Sequence, residues 1–170
     1  MPYIAKAGVI VPAGELIEGG EGVAYHDVTS TVSGIGITDS YDGTGHKYMM
    51  NTAQGERTKH YVNIPEDGTY KLILNAGATS DLPKVSIWIG DELIVDKGSI
   101  KNTDSYSISA FEDNEMAEVK LSKGEHTVKV EHTVSNFAFY SLRFVNVNSQ
   151  AFARSDGFVE EYINIIIGSN

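Results

Sequence analysis

The sequence contains no cysteine. This absence excludes a disulfide framework, a zinc–thiolate site and a thiol nucleophile. Long apolar runs are also missing, since no stretch approaches the roughly 18 residues that a membrane-spanning helix needs. The opening residues, MPYIAKAGVIVP, carry only a short apolar run and a single lysine, so they do not form a convincing signal peptide. Secretion would then require a removed signal or another export route.

Positive charge is scarce as well. The chain has 13 lysines and arginines against 23 acidic residues, which gives a formal net charge of −10 at pH 7. Nucleic acids and anionic membranes both require a basic surface, so the composition predicts neither as a partner. With 170 residues, of which 41% are hydrophobic and 21% charged, the chain has the length and composition of one folded domain.

Instead of helical periodicity, the chain offers short β segments separated by turn residues. KHYVNI and GTYKLILNAGA are joined by PEDG, in which Pro65 and Gly68 supply a fixed and a permissive backbone. A hairpin is predicted at Gly90 and Asp91, and a second one at SKG (122–124). Many short strands without intervening helices predict an all-β fold, a β-sandwich jelly roll. In NFAFYSLRFVNV, strict alternation places Phe137, Phe139, Ser141 and Arg143 on one face and Ala138, Tyr140, Leu142 and Phe144 on the other.

Three stretches carry a resemblance to a known family. They are GGEGVAYHD (19–27), GERTKHYVNIPEDGTYKLIL (55–74) and LSKGEHTVKVEHTVSNFAFYSLRF (121–144). In this order they resemble family 6 carbohydrate-binding modules and the related family 35, which are jelly rolls appended to polysaccharide-degrading enzymes. The resemblance covers roughly residues 9–145. We therefore expect a module-like jelly roll over 1–145 and a C-terminal β tail over 146–170 that serves assembly.

The resemblance implies a sugar site in the edge loops. Glu21 matches an acid that bonds to sugar hydroxyls, although it could equally shape a turn. The family's site otherwise uses two aromatics and a late asparagine, because a sugar needs an apolar platform as well as polar partners. This chain departs from all three: isoleucines replace the first aromatic, only Tyr106 and Phe111 are available for the second, and Tyr140 replaces the asparagine.

Other residues offer substitutes for the missing side chains. Tyr41 and Tyr106 have polar neighbours on both sides and are surface candidates, whereas Tyr48 and Phe111 are predicted to be core. Trp88 alternates with apolar residues in VSIWIGD, which predicts an outer sheet face, where either a second sugar site or rim packing would explain it. The predicted carbohydrate-binding residues are Glu21, Tyr41, Trp88, Tyr106, Asn136 and Tyr140, and all except Trp88 are expected to converge at one edge.

The family's structural calcium is not expected here. In the resembling modules an acidic pair near the N-terminus and an acid on the last strand hold the ion. Pro12, Gly14 and Arg143 stand at those positions. Calcium needs six to eight oxygens, often from carboxylates. The sequence therefore predicts no cofactor and no metal, with Glu15 and Glu18 as the carboxylates that could still shift into the role.

No catalytic motif is present. The chain has neither a Gly-x-Ser-x-Gly elbow nor a His-Glu-x-x-His pair, and the resembling modules are non-catalytic. His126 and His132 share a strand face with valines, which is typical of histidines at a core edge. The predicted function is non-catalytic, extracellular binding of a polysaccharide or glycan. The alternative is a structural or decoration protein of an extracellular assembly or virion that keeps the jelly roll.

The C-terminal segment VEEYINIII (159–167) is strongly apolar. Left as a free edge, such a strand would promote aggregation, so it must be covered by the same chain or by another subunit. The run Ile165–Ile167 is apolar on both faces and fits a strand that is buried on both sides. We therefore expect a homo-oligomer held partly by this tail; completion of the sandwich within one chain is the alternative.

Overall fold

The computed structural model describes residues 8–28 and 36–148. The strands in chain order are β1 (Val9–Pro12), β2 (Tyr25–His26), β3 (Ile37–Asp39), β4 (Lys47–Met49), β5 (Arg57–Ile64), β6 (Gly68–Gly77), β7 (Lys84–Ile89), β8 (Glu92–Ser99), β9 (Glu112–Leu121), β10 (Gly124–Val134) and β11 (Ala138–Asn146). One 3₁₀ turn spans Ile108–Ala110. Within the described ranges, no helix has the length and apolarity to cross a membrane.

The strands form two antiparallel sheets. Sheet A has the order β3-β4-β11-β6-β9, with β1 also pairing with β11, and sheet B has the order β2-β5-β10-β7-β8. This arrangement confirms the predicted all-β sandwich, and the β7–β8 pair confirms the hairpin at Gly90 and Asp91. The division into 1–145 and 146–170 stays a prediction, because residues 149–170 lie outside the described part of the chain.

The second predicted hairpin is wrong. The SKG turn joins β9, which pairs with β6 in sheet A, to β10, which pairs with β5 and β7 in sheet B. The turn therefore carries the chain from one sheet to the other. Alternation of apolar and polar residues cannot distinguish a hairpin from a between-sheet connection, because both flank the turn with half-buried strands.

The core lies between the sheets and is built by inward-facing residues of both. β5 shows the pattern in its simplest form: Val62 and Ile64 are buried, while Arg57 and Tyr61 are exposed. The bulkiest fully buried side chains are Tyr70, Phe137, Phe139 and Phe144. Each fully buried side chain of this size contributes about 1.5–3 kcal/mol relative to an exposed one.

The face assignment of the last strand is wrong because β11 contains a bulge. Its register with β6 shifts between the pairs Phe139–Ala76 and Ser141–Asn75, which leaves Tyr140 as the extra residue. A bulge changes the alternation of faces after it. Consequently Phe139, Leu142 and Phe144 are all buried, although alternation separates the first from the other two.

Two buried histidines belong to this core. His60 is fully buried; its Nδ1 lies 2.7 Å from the Glu15 carbonyl oxygen and its Nε2 lies 2.8 Å from the Thr58 hydroxyl oxygen. A carbonyl only accepts, so Nδ1 carries the proton and Nε2 accepts from Thr58. His132 stacks on Phe137 with ring centroids 4.1 Å apart. Burial lowers the pKa of both histidines to about 4, so both are neutral at pH 7.

One end of the sandwich collects most of the long connections. β11 begins at this end, where Ala138 pairs with Gly77, and β10 ends there, where Val134 pairs with Lys84. The segments 50–56, 78–83, 100–111 and 135–137 therefore lie together, and we call this the loop end. β4, which precedes the first of these segments, pairs with β11 only through Met49 and Phe139.

The buried histidines make stability depend on pH. Their folded pKa lies below the unfolded value near 6.5, so the unfolded state binds more protons, and stability falls as the pH drops from about 6.5 to 4. The loss is on the order of 3 kcal/mol for each histidine. His132→Phe keeps the aromatic stack and should reduce this slope in urea unfolding at pH 7, 6 and 5. His126→Gln is the control and should follow the wild type; equal slopes for all three proteins would contradict the assignment.

Candidate functional site

The outer face of sheet A carries a cleft of about 160 Å³, which we call the Tyr140 cleft. Its position follows from the bulge in β11, which brings Tyr140 and Arg143 to the outer face while Phe139, Leu142 and Phe144 stay in the core. β6 adds Asn75, β9 adds Asp113, and the β3–β4 connection closes one side. The lining residues are Ile10, Thr44, His46, Asn75, Asp113, Tyr140, Ser141 and Arg143.

A hydrogen-bonded triad forms the polar floor of the cleft. Asn75 Nδ2 donates to Asp113 Oδ1 over 2.9 Å, and an Arg143 guanidinium N–H donates to Asp113 Oδ2 over 2.8 Å. The arginine side chain is 13% exposed and the aspartate side chain 32% exposed. Charge-assisted bonds between partly buried groups are strong and hold planar groups in fixed orientations. The cleft thus presents an amide, a carboxylate and a guanidinium in one preformed array.

An aromatic wall stands beside the triad. The Tyr140 ring lies 6.2 Å from the His46 ring, 6.3 Å from the Tyr48 ring and 6.4 Å from the Phe111 ring, centroid to centroid. Tyr48 is buried, as predicted, and Phe111 packs half-buried against its edge. His46 Nδ1 is buried and has no hydrogen-bond partner in the described part of the chain. The wall therefore combines an apolar surface with one unsatisfied polar atom.

Asp42 ties the β3–β4 connection to this wall. Its carboxylate accepts hydrogen bonds from the Tyr140 hydroxyl, the Ser40 hydroxyl and the Thr44 amide. Partial desolvation opposes ionisation, but the bonds from Thr44, Tyr140 and Ser40 hold the pKa of Asp42 well below its usual range. Desolvation and the Asp42 bond raise the pKa of Tyr140. The pair is therefore a neutral phenol donating to a carboxylate.

A second, smaller pocket lies at the loop end. It has a volume of about 40 Å³, and Tyr106 and Asn136 line it together with Asn51 and Thr52. The Thr79 hydroxyl donates to the Tyr106 hydroxyl over 3.3 Å. A volume of this size is close to that of one water molecule in the liquid, about 30 Å³. A sugar ring could therefore rest only on the mouth of this pocket.

Glu21 serves its own loop. One of its carboxylate oxygens lies 2.6 Å from His26 Nδ1, and the other accepts the Asp27 amide over 2.9 Å. These bonds lower the pKa of Glu21, the His26 bond most. The motif GGEGVAYHD is thus a turn that its own acid holds closed.

Trp88 lies on the outer face of sheet B, as predicted. Val85, Ile87 and Ile89 are buried on the opposite face. Lys129 Nζ lies 4.0 Å from the centroid of the Trp88 ring, at cation–π distance.

The predicted residues do not converge on one edge. Tyr106 and Asn136 share the loop-end pocket, whereas Tyr140 lies in the Tyr140 cleft and Tyr41 in its neighbouring connection, 89% exposed. Glu21 is engaged in its own turn. A sugar-binding role for any of them stays a prediction. The sequence does not single out three other residues that line the Tyr140 cleft, Asn75, Asp113 and His46, because they stand on separate elements. The register that places Asn75 opposite Asp113 cannot be deduced from either segment alone.

Comparison with solved structures identifies the fold. The C-terminal family 6 carbohydrate-binding module of a laminarinase from Zobellia galactanivorans superposes with a TM-score of 0.63 at 13% identity, over 82% of this chain and all of the module. A family 35 module from Clostridium thermocellum gives 0.63 at 15% identity, over 83% and 99% of the two chains. The module of Cellvibrio mixtus lichenase 5A, in complex with cellotriose, gives 0.57 at 16% identity, over 82% and 98%.

No protein-family model matches the sequence, and no curated protein does. The matches to solved structures establish the jelly-roll fold of families 6 and 35, as the sequence resemblance predicted.

Glu56, at the loop end, makes stability depend on pH in the opposite direction from the histidines. It is 1% exposed, and its Oε2 has no hydrogen-bond partner among the described residues. Burial raises its pKa to about 7, and the neighbouring Asp27 adds to the shift. The folded state then binds more protons than the unfolded state, so this contribution falls as the pH rises from about 4.5 to 7. In urea unfolding, Glu56→Gln should have a free energy of unfolding about 1–3 kcal/mol higher than that of the wild type at pH 8, and nearly the same as the wild type at pH 4.5. Glu92→Gln, at an exposed position, should show no such pH-dependent gain; a gain for Glu56→Gln that is equal at both pH values would contradict the shifted pKa.

Calcium is expected to contribute little to stability. Arg143, which stands at the family's acidic position, is ion-paired with Asp113, and the described residues contain no cluster of three metal-ligating side chains. An ion that binds only the folded state would add about 2.7 kcal/mol at a hundredfold excess over its dissociation constant. Thermal melts with chelator and with millimolar calcium should therefore nearly coincide. A shift of many degrees would show that other oxygens have rebuilt the site.

Proposed function

We propose that this protein is a non-catalytic carbohydrate-binding module whose Tyr140 cleft binds one sugar unit of a polysaccharide or glycan. One observation carries the proposal: the aromatic wall of Tyr140 and His46 stands directly beside the Asn75–Asp113–Arg143 triad. A pyranose has an apolar C–H face and a rim of hydroxyls, and these two parts match the wall and the triad.

The chemistry of the triad suits neighbouring hydroxyls. A carboxylate accepts hydrogen bonds, and amide and guanidinium groups donate them, so the array offers both roles within one cleft. Because the triad is already bonded internally, a sugar would meet groups whose orientation is fixed before binding, which lowers the entropic cost. A cleft of about 160 Å³ holds little more than one ring. We therefore expect weak binding, in the micromolar to millimolar range, or about −4 to −8 kcal/mol.

The structural matches support a neutral glycan as the first ligand to test. The lichenase module is seen in complex with cellotriose, and the laminarinase module belongs to a polysaccharide-degrading enzyme. By this analogy the protein would act outside the cell, next to polysaccharide. The aromatic wall does not require a charged ligand.

The cleft gives no support to catalysis. Hydrolysis of a glycosidic bond normally needs two carboxyl groups on either side of the bond, one of which can donate a proton. In the Tyr140 cleft, Asp113 is ion-paired with Arg143, and the hydrogen bonds to the adjacent Asp42 favour its ionised form. These contacts already engage both carboxylates, so we propose binding without turnover.

The alternative function, a structural or decoration protein of an assembly or virion, has no specific structural observation in its favour. In the sequence, the lack of a convincing signal peptide, the altered sugar-site positions and the apolar tail favour it, and the tail lies outside the described residues. Oligomerisation through that tail stays a prediction.

Titration calorimetry against a panel of soluble polysaccharides and oligosaccharides, including cellotriose and laminarin, tests the proposal. At least one glycan should bind without product release. Asp113→Asn should weaken binding about tenfold or more, because a hydrogen bond to a charged group is worth about 1.5–3 kcal/mol. Asn75→Ala removes a neutral bond worth about 0.5–1.5 kcal/mol and should weaken binding about two- to tenfold. Tyr140→Phe keeps the ring and should weaken binding less than Tyr140→Ala.

The matched controls lie on the other surfaces. Tyr106→Ala and Asn136→Ala, at the loop end, should bind the glycan as the wild type does, and thermal melts should confirm that every variant is folded. Loss of binding in the loop-end variants alone would move the site to the loop end. Absence of heat from every glycan, or release of product from any, would overturn the proposed function.

A further inference from the structure

Two carboxyl groups face each other at the edge of sheet B. β2 is the edge strand there, and its last pair with β5 is His26 with Arg57. Continuing this antiparallel register by one residue brings Asp27 opposite Glu56. Cross-strand neighbours have Cβ atoms about 4.5–5.5 Å apart, and like charges in that position destabilise a sheet. Two ionised carboxylates would therefore be an unfavourable pair at this edge.

Glu56 faces the inside of the sandwich. It continues the row of inward positions that Thr58 and His60 occupy on β5, and it is 1% exposed. Its Oε2 has no hydrogen-bond partner, and no cation forms an ion pair with it, in the ranges that the structure describes. Burial of an unpaired carboxylate is costly. A protonated Glu56 avoids this cost and can donate its proton to Asp27.

The charged side chains of β5 and β10 lie on the opposite face of sheet B. Because side chains alternate along a strand, the residues between the buried positions point outward. On that outer face Lys59 is opposite Lys129, and Arg57 is opposite Glu131. The adjoining connections, 50–55 and 135–137, contain no ionisable side chain. These elements therefore bring no cation to the buried carboxyl of Glu56.

Two histidines complete the surroundings of Glu56. His26 precedes Asp27, and its Nδ1 lies 2.6 Å from a carboxylate oxygen of Glu21. His132 donates its backbone N–H to the Glu56 carbonyl oxygen over 2.8 Å. Burial lowers the pKa of the His132 ring to about 4, so this ring stays neutral between pH 5 and 7. Glu56 therefore has no charged partner in His132.

We propose that β2 and the turn that Glu21 closes, residues 19–27, form a proton-coupled latch on sheet B. While the latch is closed, protonated Glu56 donates a hydrogen bond to Asp27. When the latch opens, Glu56 meets water and releases its proton to the solvent. β2 has only two residue pairs with β5, and so short an edge opens locally at a lower cost than the core. Rising pH therefore favours the open latch.

The size of the coupling follows from the two pKa values of Glu56. In the closed latch, burial raises the pKa to about 7; the Ala53 backbone and His26 oppose this rise, and Asp27 adds to it. In the open latch Glu56 has its ordinary pKa of 4.5. The closed state binds the proton more tightly, so it loses stability as the pH rises from 4.5 to 7, and the dependence then levels off. The opening equilibrium constant should rise about 40-fold between pH 5 and 7.

Amide hydrogen exchange, followed by NMR, tests the latch. The Lys59 amide donates to the Ala24 carbonyl over 2.8 Å, and the Asp27 amide donates to Glu21 over 2.9 Å, so both report opening. Their protection factors, which correct for the intrinsic pH dependence of exchange, should fall at least tenfold between pH 5 and 7. Amides in the middle of β6 report unfolding of the whole domain. Their protection should not fall in parallel, because the buried histidines stabilise the fold as the pH rises.

Variants assign the proton to Glu56. Glu56→Gln can still donate to Asp27 but has no proton to release, so protection at the two reporter amides should agree within about twofold at pH 5 and 7. Glu21→Gln is the matched control, since it removes a carboxylate from the same turn. It should lower protection at both pH values and keep the tenfold dependence. A carboxyl ¹³C titration of the wild type should give a Glu56 midpoint near pH 7, independently of any variant.

Four results would refute the latch. These are reporter amides whose protection does not change with pH in the wild type, a pH dependence that persists in Glu56→Gln, loss of that dependence in Glu21→Gln, and a parallel fall at the β6 amides. The last result would mean that the domain opens as a whole. None of these measurements uses a glycan, so the latch and the proposed function are tested separately.

Discussion

The structure depends on the bulge in β11. β11 is the central strand of sheet A, paired with β1, β4 and β6, and it must bury Phe139, Leu142 and Phe144 against sheet B. A regular strand would place the first of these on the wrong face, because side chains alternate. The bulge at Tyr140 absorbs the extra residue, and the same irregularity brings Tyr140 and Arg143 to the outer face. Core and cleft are therefore consequences of one local departure from regular pairing.

Charge is distributed unevenly over this framework. The acidic residues near the Tyr140 cleft are engaged, Asp113 with Arg143 and Asp42 with Tyr140. Sheet B instead holds two lysines side by side without an acidic partner among the described residues. Natural surfaces tend to place opposite charges across a strand pair, because that arrangement stabilises the sheet. The two outer faces of the sandwich thus differ in how their charges are paired.

The sequence predicts the fold well, because the fold rests on features that are local or ordered along the chain. Strand alternation, the tight turn at Gly90 and the order of three family-like stretches suffice for the jelly roll and for the outward position of Trp88. The predictions fail where the outcome depends on pairing between distant segments. The bulge in β11 exists only relative to β6, and the triad assembles residues from β6, β9 and β11 that no short motif links. For Glu21 the sequence leaves ligand binding and turn formation open, because a hydrogen-bonding acid in a glycine-rich loop has the same sequence pattern in both cases; the structure shows its bonds to its own turn.

The weak connection of β4 to β11 has a consequence for motion. The β3–β4 hairpin joins sheet A through one strand residue pair, Met49 with Phe139, one backbone bond from Gly14 to the Lys47 carbonyl, the ring contacts of Tyr48, and the bond of Asp42 to Tyr140. Elements with so few backbone pairs to the rest of a sheet open locally at a lower free-energy cost, and their amides exchange with solvent first. This hairpin closes one side of the Tyr140 cleft. The amides of that cleft wall would therefore exchange with solvent faster than the amides of the core. A ligand seated between Thr44 and Arg143 would then join the hairpin to the cooperative unit of the sandwich, and slower amide exchange in residues 38–48 would reveal occupancy.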